Sequence, residues 1–253
     1  MGPSVLRTVM LLSLVAGLTA PATAQPIFSD DFESGSVCHW RPTADGRIVG
    51  TITANISRSV NPAGESALGD VIADAQLAAS TTAGLGPSLV AFTNPGGIRA
   101  DLLFAAGGNE MNGEVTCSEV SVAQPFGNTL VAMDLSGLYL DALLEQQFDN
   151  PNPGFDRILQ VSGGLTYTWS ESAPNGSKVD AASIQIGGVT VEPLTLYRVI
   201  VNEFLAAGGD NFTALTLGTN RLEGGSDFGA LTAYLAANSP VPPGPQDRIT
   251  MIP

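Results

Sequence analysis

The chain has 253 residues, 44% of them apolar, enough for a sizeable core and too many for a disordered chain. Ten Lys and Arg stand against 24 Asp and Glu, a formal charge of −14, which excludes a protein that grips nucleic-acid backbones. One histidine and two cysteines exclude a histidine-rich metal centre and a zinc site read from spacing.

Residues 1–24 read as an export signal. Arg7 gives the positive start, residues 9–18 the apolar stretch, and Ala22-Thr23-Ala24 a small-x-small cleavage site before Gln25. The run is shorter than the ~20 apolar residues of a membrane span, so a periplasmic or secreted protein without a membrane anchor is expected. Residues 25–46 form an acidic, aromatic lead-in that carries Cys38, His39 and Trp40, read as a linker or short strand against the domain. Export permits a Cys38–Cys117 disulfide, but sequence alone does not bring the two together. The folded domain is taken as residues 47–253.

Within it, Leu68, Val71, Ile72, Ala75 and Ala79 recur at helical spacing behind Ser66, a capping residue. Residues 88–93 form a short β-type run. Thr129, Val131, Met133 and Leu135 alternate as in a strand, and Ser136 introduces a helical pattern through Leu140, Leu143, Leu144 and Phe148. Residues 158–162, 165–170, 182–186 and 197–202 read as strands, with tight turns at Gly163-Gly164 and Gly187-Gly188. Ser226 or Asp227 caps a last helix with Leu231, Tyr234 and Leu235, and residues 240–245 are a proline-rich loop. Two to four helices among several strands predict a mixed α+β domain with helices packed on mixed β-sheets.

No local pattern supplies a catalytic apparatus. His39 is the only histidine and lies in the lead-in, which removes a Ser-His-Asp or Cys-His triad from the domain. Lys178, the sole lysine, sits in an Asn-Gly-Ser turn and not in a phosphate-binding loop. Three loops suit binding instead. Asn94-Pro95-Gly96-Gly97-Ile98-Arg99 follows an apolar strand, with glycines that admit a ligand to the backbone and an arginine fork for an anion; a turn with a surface arginine is the plainer alternative. Gln124-Pro125-Phe126-Gly127-Asn128 precedes one strand, and Phe204-Leu205-Ala206-Ala207-Gly208-Gly209-Asp210 follows another. Two aromatics beside glycine loops suit a stacked base, and two core phenylalanines are the alternative.

Taken in order, G-E-S-A-L-G-D-V-I-A-D-A at 64–75, N-P-G-G-I-R-A-D-L at 94–102, Q-P-F-G-N-T-L at 124–130, L-Q-V-S-G-G-L-T-Y at 159–167 and Y-R-V-I-V-N-E-F-L-A-A-G-G-D-N-F at 197–212 resemble the C-terminal, substrate-recognising domain of the 5′-nucleotidases. The resemblance implies that Phe126 and Phe204 clamp a base, that Asp210 meets ribose hydroxyls, that Asn94 and Arg99 hold the substrate near its phosphate, and that Asn128 reaches the base edge. Gly64 stands where several relatives carry an arginine, which implies a weaker hold on phosphate. In the family a separate metallophosphatase domain supplies a divalent metal pair. Here the short lead-in leaves no room for it, so no catalytic or metal-ligating residue and no cofactor are assigned to this chain. A nucleotide or nucleoside is the expected partner, with no nucleic acid and no membrane. Binding without hydrolysis is the expected function. The alternatives are the recognition subunit of a split nucleotidase, with a separate metallophosphatase chain, and a structural or interaction remnant.

Overall fold

The computed structural model describes residues 46–253. The residues read as an export signal, most of the lead-in, Cys38 and His39 lie outside the described residues; Cys117 lies within them and is buried.

The chain opens with β1 (Ile48–Thr51) and α1 (Ala67–Thr82). Helix α1 starts where the sequence places it: Ser66 Oγ accepts the Gly69 N–H at 3.0 Å. The Ser66 N–H and hydroxyl both donate to Gln160 Oε1, at 2.7 and 2.9 Å, which ties the cap to a distant strand. Next come β2 (Val90–Thr93), β3 (Glu114–Thr116) and α2 (Cys117–Ala123), the last begun by a Thr116/Glu119 capping box. Strand β4 (Thr129–Ser136) runs into α3 (Gly137–Glu145), capped by Ser136. The helical pattern predicted through Phe148 stops at Glu145. Gln147 is fully buried, and its amide serves the Leu159 N–H at 2.6 Å and the Tyr167 hydroxyl at 3.2 Å, so tertiary hydrogen bonds end the helix.

Strand β5 (Gln160–Val161) is shorter than the 158–162 run predicted, because its partner β2 gives way to Asn94-Pro95, and proline has no N–H for the ladder. Strand β6 (Leu165–Ser170) matches its expected span. The predicted strand 182–186 divides into a 3₁₀ turn at Ala181–Ser183, begun by Asp180, and β7 (Gln185–Ile186), followed by β8 (Val189–Thr190). Strand β9 (Leu196–Asn202) leads into the short α4 (Glu203–Ala206). Strand β10 (Thr219–Ser226), α5 (Asp227–Asn238) and β11 (Ile249–Ile252) complete the described chain. No described helix is long and apolar enough to cross a membrane.

A five-stranded sheet in the order β10-β4-β9-β2-β5 is the centre of the fold. Its central strands bury both faces, which explains their nearly continuous apolar runs. Val131, Met133, Val199, Val201 and Phe92 enter one core with α3 and the second sheet, β11-β6-β7-β8. Leu130, Ala132, Ile200 and Ala91 face the other way, toward Ala73 and Ala79 of α1 and Ala230 of α5. Small residues there let both helices lie close to the sheet. Beyond them a third cluster, with Ile56, Leu68, Ile72, Val120, Leu231 and Leu235, packs α1 and α5 against α2 and the β1-β3 ribbon. The predicted mixed α+β class holds, with five α-helices among the described residues.

Strand direction decides which loops meet. Strands β2 and β9 are parallel, so their C-terminal ends share one edge of the sheet. Strands β4 and β5 run antiparallel to these neighbours, so their first residues lie at that edge, as does the last residue of β10.

Candidate functional site

A cavity of about 440 Å³ opens at this edge, within the usual range for small-molecule sites. Asn94, Arg99, Phe126, Asn128, Phe204 and Asp210 all line it, although they come from three loops separated by up to 116 positions. The remaining wall is the turn Pro95–Gly97 and the segment Phe155, Asp156 and Arg157 ahead of β5.

The two phenylalanines are not core residues. Phe126 is 57% exposed and Phe204 44%, whereas burying such a ring is worth roughly 1.5–3 kcal/mol. Phe204 is the second residue of α4, two residues after β9 ends. Asn202 caps that helix, accepting the Leu205 N–H at 2.9 Å on its side-chain oxygen. The return loop passes beneath the ring at Gly209, where a Cβ would lie 2.6 Å from ring carbons of Phe204 and 2.5 Å from its carbonyl oxygen. Gly208 and Asp210 take φ of 85° and 52° to make this turn.

Behind the cavity a polar chain links the loops. Asn202 Nδ2 donates to Asn94 Oδ1 at 3.1 Å, and Asn94 Nδ2 donates to Asp210 Oδ2 at 2.9 Å. Arg157 completes the chain with an ion pair to Asp210 Oδ1. Both carboxylate oxygens of Asp210 are therefore engaged. A ligand diol has to share these oxygens with Asn94 and Arg157 or displace one of them. Gly96 lines the floor, where a Cβ would approach the Asn94 amide and the Asp210 carboxylate at 3.4 and 3.6 Å.

Two guanidinium groups reach the cavity, each over an aromatic face. Arg99 lies 5.9 Å from the centre of the Phe126 ring and donates to Gly96 O at 3.1 Å. Arg157 lies 5.0 Å from the centre of the Phe155 ring. Sequence reasoning missed Arg157. It enters one residue before Ile158, the side chain that occupies the space a Cβ on Gly64 would need. Its signal was the Phe-Asp-Arg triplet at 155–157, directly ahead of a recognised block.

Asp227, also missed, is buried at the start of α5. Its Oδ1 accepts the Phe228 N–H at 2.7 Å and its Oδ2 accepts from Asn128 Nδ2 at 3.0 Å. Burial pushes the carboxyl up to about 6, with these hydrogen bonds pulling down and Glu203 pushing up. Among the described residues no three His, Cys, Asp or Glu are grouped to hold a metal ion.

The family model of the 5′-nucleotidase C-terminal domain matches residues 48–217. The chain belongs to the 5′-nucleotidase family. It is similar to the trifunctional nucleotide phosphoesterase protein YfkN of Bacillus subtilis, 36% identical over 60% of this chain and 10% of that protein. The cell wall protein Lmo0130 of Listeria monocytogenes is 36% identical over 63% of this chain and 20% of its own length. Among solved structures, the 5′-nucleotidase precursor from Thermus thermophilus superposes with a TM-score of 0.66 at 34% identity, covering 81% of this chain and 39% of that one. The chain thus spans well under half of these relatives and matches the C-terminal domain of the family.

Proposed function

We propose that this domain binds a nucleoside or nucleotide in the cavity at the sheet edge, and that the chain by itself recognises rather than hydrolyses it. The observation that carries the reading is the convergence of two half-open phenylalanine rings, a carboxylate and two arginines on one cavity of about 440 Å³. The rings offer stacking faces for a base. Asp210, with Asn94 beside it, suits a ribose diol. Arg99 and Arg157 supply the positive field for a phosphate in a chain that is otherwise strongly acidic. Arg157 would stand in for the positive charge missing at Gly64, once a diol takes its place on Asp210. The export signal read in residues 1–24 would carry the protein out of the cytoplasm, and relatives whose names mark a cell wall protein and a snake venom 5′-nucleotidase support this reading.

Calorimetry with millimolar adenosine, AMP and UMP tests the proposal. Saturable heats are the expected result, and no heat or thermal shift with any of the three overturns it. A second reading, the recognition half of a nucleotidase whose metal-bearing part lies on other residues or another chain, is favoured by the short span of the relatives that is matched. A phosphatase assay with added Mn²⁺ or Zn²⁺ on the same sample, alone and with a metallophosphatase partner, separates the two.

A further inference from the structure

We propose that Asp227 locks the side-chain amide of Asn128 so that its oxygen faces the cavity, and that the site thereby selects bases with an amino group beside an unprotonated ring nitrogen, adenine and cytosine. The inference rests on the nucleoside reading above and assigns its base preference.

Asp227 is 3% exposed and is the first residue of α5. An ionised carboxylate only accepts hydrogen bonds, and the helix N-terminus favours its negative form. One oxygen is taken by the Phe228 N–H, and the other lies 3.0 Å from Asn128 Nδ2. Turning the Asn128 amide over would set its oxygen against that carboxylate oxygen, two acceptors at hydrogen-bond distance in a partly buried place. Asn128 is also held from behind, because the Asp227 N–H donates to the Asn128 carbonyl at 2.9 Å. The next residues, Thr129 and Ser226, pair in the sheet. The backbone of Asn128 is thus fixed beside Asp227, and its amide is favoured in one orientation.

What remains for a ligand is Asn128 Oδ1, which has no hydrogen-bond partner among the described residues, with the second Nδ2 hydrogen beside it. An acceptor next to a donor in fixed order matches the amino group and ring nitrogen of adenine, or of cytosine. Hypoxanthine and uracil place a carbonyl where the amino group stood and present oxygen to oxygen. Stacking on Phe126 and Phe204 treats all bases nearly alike, so discrimination falls to this amide.

Adenosine and inosine differ at that position and are the probes. Calorimetry of the full protein at pH 8, where the Asp227 carboxyl is ionised, is expected to give about tenfold or tighter binding of adenosine, the scale set by an unmatched polar group. Cytidine should exceed uridine in the same direction. In Asp227→Asn the new amide can donate to the Asn128 oxygen, so the Asn128 NH₂ turns to the cavity and the adenosine-to-inosine ratio collapses or inverts. A purely structural role for Asp227 would weaken both nucleosides and keep the ratio. Asn128→Ala, on the cavity wall, supplies an independent check: stacking persists and the ratio falls to about one. The proposal is overturned if the unaltered protein binds both nucleosides within about twofold, or if the ratio survives in a folded Asn128→Ala protein. If neither nucleoside binds, the nucleoside reading itself fails and this inference falls with it.

Discussion

Phe126 and Phe204 leave roughly half of each ring in solvent, and a ligand that covers them recovers that apolar area. Phe204→Ala should therefore raise the Kd for adenosine by roughly 5- to 150-fold, the equivalent of about 1–3 kcal/mol of stacking. Titration calorimetry reads this, and an unchanged Kd removes Phe204 from the site. The six residues nominated from the sequence, which line one cavity, were chosen because motif order and residue chemistry coincide. An Asn, an Arg and an Asp beside glycines, and two aromatics, are a composition that binding explains better than packing. Phe155, Arg157, Asn202 and Asp227 were not legible in the same way. Three of them are tied to a neighbour that is distant in sequence: Arg157 to Asp210, Asn202 to Asn94, and Asp227 to Asn128.

At the scale of the element, α4 has four residues and no length to sustain itself. Asn202 holds it, and the same side chain donates to Asn94. Asn202→Ala should lower unfolding stability by about 1–2 kcal/mol, a cap lost together with a buried amide oxygen left without its donor. Urea unfolding should show the midpoint falling at constant m-value. The capped helices were readable in advance, because Ser66, Ser136 and Ser226 each stand one residue before an apolar period. The edge strand β10 was not. Its sequence, Thr-Asn-Arg-Leu-Glu-Gly-Gly-Ser, is mostly exposed and has no alternation to detect, and only pairing with β4 makes it a strand.

At the scale of the molecule, a buried charged group fastens the C-terminal segment to α1. Arg248 donates to both oxygens of Asp74 at 2.9 and 2.7 Å, and its backbone N–H, with that of Ile249, is received by Glu65. Asp70, fully buried in α1, accepts the Gln246 N–H at 2.9 Å. Burial pushes its carboxyl up from 3.8 to about 7; the Gln246 hydrogen bond and Arg248 pull it down, and Glu65 adds to the rise. A carboxyl raised on folding is protonated in the folded state and ionised in the unfolded chain between those values. Its stabilising contribution is complete below the unfolded value and is lost as pH rises through about 7. Asp227, raised to about 6, acts in the same direction. Stability should thus decline between about pH 4 and pH 7, by on the order of a few kcal/mol. Asp70→Asn should flatten the decline, as urea unfolding at the two pH values would record. A rise in stability across that window would contradict the assignment.

The sequence by itself determined the family, the mixed α+β class and the capped helices; that the central strands bury both faces, where the 129–135 run read as alternating, came from the sheet packing between two layers. The first three are written in local order: a serine before an apolar period, an apolar run between turns, a glycine beside an aromatic. The tertiary structure decided which of those pieces share a site. Parallel pairing of β2 with β9, and antiparallel pairing of β4, β5 and β10 with their neighbours, bring five chain segments to one edge of the sheet. Only there does Arg157 meet Asp210 and Asp227 meet Asn128, because strand direction, which no short stretch of sequence encodes, sets which ends lie together.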